Sequence, residues 1–430
     1  MLAVLACGLI LIPGKSFAGL STYVGSFASN TATGSQAYTG VGFQPSVIIF
    51  FMNNETSDTS GLVLSTCYGF AVSSSDRRSV TATLINTVNG SWSGHDDSKC
   101  ISIISSVPTV ISAADFTSMD SDGFTLNWTT ADATARIVNY VALGGTNVTN
   151  VKTGQFTSPT SASSAAVTGV GFQPDSVILM EQRDTATAPP SNLSSVAYNQ
   201  LGFGLSSSSQ ASSSMGAGTS GADVNNSNYQ RTDKIFSATS IAGAVFREAN
   251  LTSMDSDGFT LNWSTVQATA RYVHYLAIKG PSFSIGSFNQ ATATGAQSVS
   301  GLSTAPAAII FNSVDAVTSS TPNAGSGART IGLASDSTHR GNIWQDPGNT
   351  ATHMNEILSR STVLTMAHST GIASYTVDAQ SDFTSMDATG FTVNWSTADA
   401  TAREILYLAI GTVAGGSTQA DKTIHHGFEL

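Results

Sequence analysis

Asp120-Ser-Asp-Gly-Phe-Thr-Leu-Asn-Trp128 is a nine-residue segment that this chain carries three times. It returns as Asp255-Ser-Asp-Gly-Phe-Thr-Leu-Asn-Trp263 and, with three changes, as Asp387-Ala-Thr-Gly-Phe-Thr-Val-Asn-Trp395. The tryptophans are 135 and 132 residues apart. That spacing is too long for a solenoid repeat of roughly 20–50 residues and is typical of a whole domain. The sequence therefore predicts three copies of one domain in tandem.

The repeated elements have the patterns of β-strands. In the nine-residue segment, Phe124, Leu126 and Trp128 alternate with polar residues, so their side chains point to one face of a strand. Each copy also contains a short β-branched run, such as residues 47–51, that is apolar on both faces like a central strand of a sandwich. Residues 136–143 and their counterparts form a closing strand, with its arginine expected at a solvent-exposed end. We predict an all-β protein made of β-sandwich, jelly-roll-like domains.

The repeats set the domain boundaries. We place the sandwiches at residues 19–145, 146–280 and 281–412, followed by a flexible tail at 413–430. The linkers between them are only about three residues long, as in Gly144-Gly145-Thr146. Short linkers between like domains favour a semi-rigid rod, which would be about 100–120 Å long if the domains lie end to end.

The N-terminus has the pattern of an export signal. An apolar run from Leu2 to Leu11 is followed by Pro13 and Gly14, and small residues precede Gly19. We predict a signal peptide over residues 1–18, because the run is too short to span a bilayer as a stable helix. No Lys or Arg precedes the run, so the alternatives are a start further upstream, a buried first strand or a partner-inserting segment. Export predicts a secreted, cell-surface or extracellular fibre protein.

Composition narrows the function classes. Apolar residues make up 41% of the chain and supply real cores, whereas charged residues make up only 10%, against roughly 25% in ordinary globular proteins. The net charge is −11 with only 17 Lys and Arg, so no basic surface is available to neutralise phosphates. We expect no nucleic-acid partner, no membrane span in the mature chain and no cofactor.

Cysteine usage depends on the compartment. Without the predicted signal peptide, Cys67 and Cys100 are the only cysteines, and both lie in the first copy. In an oxidising compartment such a pair is expected to form a disulfide, which would stabilise the domain by roughly 3–4 kcal/mol on the loop-entropy model. The alternative is two buried free thiols.

Loops that differ between the copies hold the candidate ligand-binding residues. A repeated frame with unrepeated loops is typical of a scaffold that presents surfaces. The tryptophans there could stack on sugar rings or pack in a core, and the His-Asp-Asp run could ligate a metal, serve as acid and base, or be a solvated loop. The candidates are Trp92, His95, Asp96, Asp97, Trp344 and His353.

The Asp120-x-Asp122-Gly123 start of the repeated segment has two interpretations. Alternate carboxylates can bind calcium, but Asp and Gly at these positions also form a tight turn. The third copy replaces the middle carboxylate by Thr389. A turn tolerates that change, whereas a metal site would lose a ligand, so we predict a turn and no metal site.

Catalytic motifs are not apparent in the sequence. The chain contains no Gly-x-Ser-x-Gly elbow, phosphate-binding loop or His-Glu-x-x-His motif, and no nucleophile or base recurs with the repeated arginine and tyrosine of the closing strand. We predict no catalytic residues and a non-enzymatic protein. A hydrolase using Asp96 and Asp97 is the weakest of the hypotheses.

The repeated frame resembles a group of known modules. Gly42-Phe-Gln-Pro45, Gly123-Phe-Thr-Leu-Asn-Trp128 and Tyr140-Val-Ala-Leu143, with their later counterparts, are similar to repeat modules of phage-derived and secreted bacterial surface proteins of unknown function. The third copy lacks the Gly-Phe-Gln-Pro form. The resemblance implies a surface or fibre component and implies no catalytic residue.

Two functional hypotheses follow. The first is a non-enzymatic extracellular structural protein, a subunit of a filament or fibre that polymerises through β-strand contacts. Its candidate assembly strand is the free N-terminal segment that contains Ser21, Tyr23, Gly25 and Phe27. The second is a carbohydrate-binding adhesin, or a phage-type fibre, that binds glycans through the variable loops.

Overall fold

The structure is a computed structural model that describes most of the chain. It covers residues 16–17, 19–58, 60–61, 63–85, 91–104, 109–182, 191–192, 197–220, 223–315, 317, 320–324, 327–346, 355–371 and 374–412. Within these ranges all regular secondary structure is β-strand, which confirms the all-β prediction. No helix in this part of the chain is long and apolar enough to cross a membrane. The predicted tail and, apart from Ser16–Phe17, the predicted signal peptide lie outside the described residues.

The strands fall into three sets that follow the three repeats. The first set is β1 (Ser16–Phe17), β2 (Leu20–Ala28), β3 (Gly34–Thr39), β4 (Pro45–Met52), β5 (Ser60–Gly61), β6 (Val63–Ser73), β7 (Asp76–Ile85), β8 (Ser91–Asp96), β9 (Ile101–Ile104), β10 (Val110–Asp120), β11 (Gly123–Thr130) and β12 (Ile137–Gly144). The second is β13 (Asn150–Thr157), β14 (Ser163–Thr168), β15 (Ser176–Gln182), β16 (Ser191–Asn192), β17 (Ala197–Ser206), β18 (Ser209–Ser220), β19 (Asp223–Arg231), β20 (Phe236–Thr239), β21 (Val245–Asp255), β22 (Gly258–Thr265) and β23 (Tyr272–Lys279). The third is β24 (Ser282–Asn289), β25 (Gly295–Ser300), β26 (Pro306–Ser313), β27 (Asn323–Ala324), β28 (Arg329–Ala334), β29 (Arg340–Asp346), β30 (Asn355–Ser359), β31 (Leu364–Gly371), β32 (Ser374–Asp387), β33 (Gly390–Thr397) and β34 (Glu404–Gly411).

Each set folds into a large sheet and a small sheet with the same strand order. In the first domain the large sheet runs β2-β12-β4-β6-β7-β8 and the small sheet runs β3-β11-β10-β9; the other two domains repeat both orders. All pairings are antiparallel. A separate apolar core fills the space between the two sheets in each domain. The prediction of three tandem β-sandwich domains is confirmed.

The repeated nine-residue segment forms the turn between β10 and β11 and most of β11. Phe124, Leu126 and Trp128 are fully buried in the core between the sheets. Gly123 adopts a φ of +146°, and a Cβ atom there would lie 2.0 Å from the carbonyl oxygen of Tyr38 on the neighbouring strand. Close approach of β3 therefore requires glycine at this position, which explains why all three copies keep it.

The aspartates of this turn bind the protein itself, as the turn interpretation predicts. Asp120 accepts hydrogen bonds from the hydroxyls of Ser118 and Thr125, both at 2.7 Å. Asp122 accepts from the backbone N–H groups of Gly40 and Gly42 at 3.1 and 2.6 Å. The second copy repeats this pair of contacts, whereas the third replaces both the aspartate and the second glycine, by Thr389 and Ser303. The third copy thus loses the carboxylate acceptor, but it keeps the backbone contact of the turn, in which the N–H of Leu302 donates to the carbonyl of Thr389 at 3.0 Å.

The large sheets are apolar on both faces because each face packs in a different core. In β4, Ile48 and Phe50 point into the first domain's own sandwich. Val47, Ile49 and Phe51 point the other way, into a second core that also contains residues of the other two domains. The large sheets of the second and third domains contribute to this shared core in the same way. We call it the central core; its members include Tyr68, Phe70, Ile178, Met180, Leu201, Phe203, Ile310, Ile331 and Leu333.

The predicted end-to-end rod is wrong, because the first and third domains contact each other. The hydroxyl of Thr22 donates to the carbonyl of Ala307 at 2.8 Å, and the backbone N–H of Val24 donates to Ser335 Oγ at 3.0 Å. The accessible surface is 16088 Å², close to the roughly 15,500 Å² expected for one compact protein of this mass and far below the roughly 21,000 Å² of three separate domains. The central core supplies the physical reason: in a rod, its apolar faces would be exposed to water.

The candidate assembly strand is not free. β2 pairs with β12 over eight residues, with Ser21 opposite Gly144, Tyr23 opposite Ala142 and Phe27 opposite Val138. The segment thus belongs to the first domain's own large sheet. Deleting residues 19–27 would remove that strand, so the deletion would not leave an intact monomer.

Candidate functional site: the interfaces between the domains

Three short strands join the domains into a closed ring. These strands, which we call the arms, are β16, β27 and β5, and each leaves its own domain to extend the large sheet of another domain. β16 of the second domain pairs with β8 of the first, β27 of the third pairs with β19 of the second, and β5 of the first pairs with β30 of the third. The cyclic order places the three domains around a pseudo-threefold axis.

The arms attach at equivalent positions. The sheet register makes Asp96 of β8, Arg231 of β19 and Ser359 of β30 equivalent to one another. The residues three positions earlier, which are Ser93, Asn228 and Glu356, are therefore equivalent as well. Each of the three pairs with an arm. The residues of the arms differ from copy to copy, so the backbone carries the contact. Strand addition at a sheet edge uses main-chain hydrogen bonds in this way.

A second repeated contact joins the β6–β7 hairpin of one domain, or its equivalent, to the first strand of the next domain. Between the first and second domains, Asp76 accepts from the Thr153 hydroxyl at 2.8 Å and from its N–H at 3.2 Å. Between the third and first domains, the ring of His339 packs on Tyr23 with centroids 4.7 Å apart. The equivalent contact between the second and third domains leaves a groove of about 110 Å³, lined by Ser209 and Ile285 among others.

Arg329 joins all three domains at the axis. Its guanidinium is buried, donates to the side chain and the carbonyl of Asn199 in the second domain, and lies 5.6 Å from the ring centroid of Tyr68 in the first. Arg329, Asn199 and Thr66 occupy the same position on β28, β17 and β6. These three equivalent positions meet at the axis, and the large arginine of the third copy fills the space between them. Burial lowers the pKa of Arg329.

The interface between the third and first domains contains a buried carboxyl group. Glu356 is fully buried and accepts from the N–H groups of Asn54 at 3.0 Å and Ser65 at 3.3 Å. Burial and the neighbouring Glu55 raise the pKa of Glu356 well above its usual value. The amide of Asn53 donates to the carbonyl of Ile357 at 3.0 Å in the same interface. This seam closes the ring, because the linkers join only the other two pairs of neighbouring domains.

The candidate ligand residues are mostly used in packing. Trp92 is buried on β8, where an arm pairs with it, and Trp344 is fully buried in the third domain. Both tryptophans therefore follow the core-packing alternative. His353 lies outside the described residues.

The His-Asp-Asp run does not form one cluster. His95 is buried between the first and second domains and packs on Tyr272 and His274 at centroid distances of 4.6 and 5.1 Å. Burial, His95 and Arg78 lower the pKa of His274 well below its usual value. Asp96 accepts from the N–H and hydroxyl of Ser98 in a turn, and the Asp97 side chain is exposed. The run contributes to an interface and a turn rather than to a site with three ligands.

The predicted disulfide is absent from the structure, in which Cys67 and Cys100 are free and buried. A Cβ atom on Gly69 would lie 1.8 Å from the carbonyl oxygen of Cys100, and the Cys67 sulfur accepts from the N–H of Ser102 at 3.4 Å. Cys67 on β6 thus lies opposite Ser102 on β9, whereas Cys100 lies opposite Gly69. The two cysteines are therefore offset by two residues and do not face each other. Burial raises the pKa of Cys67 to about 12.

The predicted solvent-exposed end is wrong for two of the three recurring arginines of the closing strand, because Arg136 and Arg403 are buried, whereas Arg271 is partly buried. Arg136 is buried, pairs with Asp132 four residues earlier and donates to Asn54 Oδ1 at 2.6 Å. Arg403 is also buried, pairs with Asp399 at 2.8 Å and contacts Asp315. Burial raises the pKa of Asp315 to about 7, although Arg403 opposes this shift. These arginines hold the loops that lead to the arms.

The interfaces combine main-chain pairing, apolar packing and hydrogen-bonded polar groups. Within the described ranges, no group of three or more His, Cys, Asp or Glu side chains is placed to hold a metal ion. Comparison with protein-family models, curated proteins and solved structures finds no match to this chain. Sequence reasoning missed the arms, Arg329 and the seam at Glu356. Only the two-faced apolar strands gave a signal for the central core.

Proposed function

We propose that this protein is a non-enzymatic extracellular structural protein, a subunit of a surface filament or fibre that assembles through β-strand contacts. The observation that carries the proposal is the use of strand addition at all three domain interfaces. A chain that joins its own domains by pairing short strands with sheet edges can join copies of itself by the same interaction.

The build of the molecule supports a structural role. A central core and three sandwich cores make one rigid block. Its accessible surface is smaller than that of three separate domains by about 1,600 Å² for each interface, an area typical of stable protein–protein interfaces. Charged residues make up only 10% of the chain, so few charges would have to be desolvated where copies come into contact. The resemblance of the repeats to modules of phage-derived and secreted bacterial surface proteins points the same way, as does the predicted signal peptide.

The carbohydrate-binding alternative would need different residues from those first considered. Trp92 and Trp344 are buried, so neither can stack on a sugar ring in this structure. Glycan binding would have to use the variable loops, and part of each of these lies outside the described residues. No contact in the described residues favours this function over the structural one.

Negative-stain electron microscopy of the full, untagged and natively exported chain tests the proposal. A filament subunit should form long polymers with an axial repeat close to the size of one compact block, about 55–60 Å. Single particles of that size at every concentration examined would contradict it. A glycan array measured on the same sample would then decide whether the carbohydrate-binding alternative takes its place.

A further inference from the structure

The small sheets expose three equivalent edges, formed by β3, β14 and β25. Each strand is the last one in its sheet, and no other described strand pairs with its outer side. Four of the six residues in each strand are exposed. Such an edge presents a row of unpaired N–H and C=O groups that can pair with another chain.

The other sheet edges in the described part of the chain are more buried or are paired. On one side of each large sheet, the edge strand β8, β19 or β30 pairs with an arm over two residues, and its other described residues are mostly buried. On the opposite side, β2 pairs with β1 and contacts the third domain, and β13 and β24 have only two exposed residues of eight each. In the small sheets, β9 and β20 are fully buried and β31 is buried over its first half. Unpaired and exposed backbone is therefore concentrated at β3, β14 and β25, which we call the outer edges.

The outer edges do not have the features that usually protect an edge strand. Natural edges are blunted by Lys, Pro, bulges or short length. Here each strand pairs with its neighbour over six residues without a register shift. No Asp, Glu, Lys or Arg occurs in residues 16–54, 153–174 or 280–314, which contain the three strands. The three copies kept this pattern while their loops diverged.

We propose that the outer edges bind the outer edges of further copies of this chain, by antiparallel pairing of strand with strand. This inference rests on the proposed function and identifies the surface that would carry out the assembly. The edges themselves favour a second copy as the occupant: although the chain carries a net charge of −11, the three edge strands are uncharged and equal in length, so two of them meet without opposing charges. Pairing of like edges about a twofold axis is self-complementary.

Three outer edges on each molecule define the kind of assembly. Two edges are enough to propagate a filament, and the third can join filaments side by side. In an antiparallel pair, the side chains of directly opposite residues lie about 5 Å apart, so like charges introduced there repel. Ala37, Ala166 and Ser298 are equivalent exposed positions near the middle of the three strands.

A triple lysine variant tests the inference. Ala37→Lys, Ala166→Lys and Ser298→Lys together should raise the concentration at which polymers appear by about tenfold or more, because a lysine on an exposed edge strand opposes the addition of another strand. The control is a second triple variant with the same added charge on the inner strand of the same sheets. Its changes are Thr129→Lys, Ser264→Lys and Ser396→Lys, at exposed positions of β11, β22 and β33.

Assembly is measured by sedimentation and electron microscopy on the full chain, with circular dichroism to confirm folding. Polymers from wild type and the control but not from the edge variant support the inference. Equal assembly of all three overturns the inference and leaves the proposed function standing, whereas a wild type that never polymerises overturns both. If the edge variant fails to fold, a synthetic peptide of residues 33–40 decides the question: it should inhibit wild-type assembly, a scrambled peptide should not, and equal effects overturn the inference.

Discussion

Leu201 offers a direct measure of the central core. It lies on β17 of the second domain, is fully buried, and points away from that domain's own sandwich toward residues of the first and third domains. In an end-to-end rod the same side chain would be on the surface. The substitution Leu201→Ala therefore has a large effect in one arrangement and a small effect in the other.

The expected magnitude follows from burial. Replacing a fully buried leucine by alanine costs about 3–5 kcal/mol, from lost transfer free energy and the cavity that remains. We therefore expect Leu201→Ala to lower the free energy of unfolding by about 3 kcal/mol, which is more than a hundredfold in the unfolding equilibrium. A surface substitution typically changes stability by less than about 0.5 kcal/mol. Val317, which is 56% exposed, provides such a control as Val317→Ala.

Urea unfolding, followed by circular dichroism and tryptophan fluorescence, measures both variants. A loss of about 3 kcal/mol for Leu201→Ala and almost none for Val317→Ala would support the shared core. If Leu201→Ala changes stability as little as the control does, Leu201 is not buried between domains and the closed ring is refuted.

Three more predictions follow. Gly123→Ala should lower the free energy of unfolding by at least about 3 kcal/mol, because the new Cβ would lie 2.0 Å from the Tyr38 carbonyl oxygen. Gly34 has a similar φ but open space around it, so Gly34→Ala should lower that free energy clearly less. Equal losses for the two variants in urea unfolding would contradict the clash. Burial and Glu55 raise the pKa of Glu356, so the folded state holds a proton that the unfolded chain releases and wild-type stability falls as pH rises above about 4.5. Glu356→Gln should therefore gain stability relative to wild type between pH 4 and pH 8, and parallel melting curves across that range would refute this. The two thiols of the first domain should react with iodoacetamide only after unfolding, and modification in the native state, read by peptide mapping, would count against their burial.

The sandwiches were predictable because local patterns specify them. Phe124, Leu126 and Trp128 alternate at every second residue, and all three are buried where that period places them. The turn at Asp120 was also predictable, because side chains two to five residues away satisfy its oxygen atoms. Short-range contacts of this kind leave a signature that repeats with the domain.

The ring was harder to predict because its contacts are long-range and largely made by the backbone. No residue type is common to all three arms, which are Ser60–Gly61, Ser191–Asn192 and Asn323–Ala324, since main-chain pairing does not need one. The apolar run at residues 47–51 did carry a signal: a strand with one face against its own sandwich needs a second apolar surface on the other face. A sandwich interior alone explains only half of that run.

The arginines and cysteines show where spacing was informative and where it was not. Asp132 and Asp399 precede Arg136 and Arg403 by four residues, and this spacing could have indicated the ion pairs. The cysteines gave no such indication, because a register offset of two residues where strands cross cannot be read from their separation in the chain.

Small-angle X-ray scattering on the monomeric fraction of the full chain tests the closed three-domain ring most directly. A compact block of 430 residues should have a radius of gyration of about 22 Å. A rod of about 100–120 Å, with the same domains laid end to end, would give about 32 Å. A value near 22 Å would support the closed ring with its central core, and a value near 32 Å would contradict it.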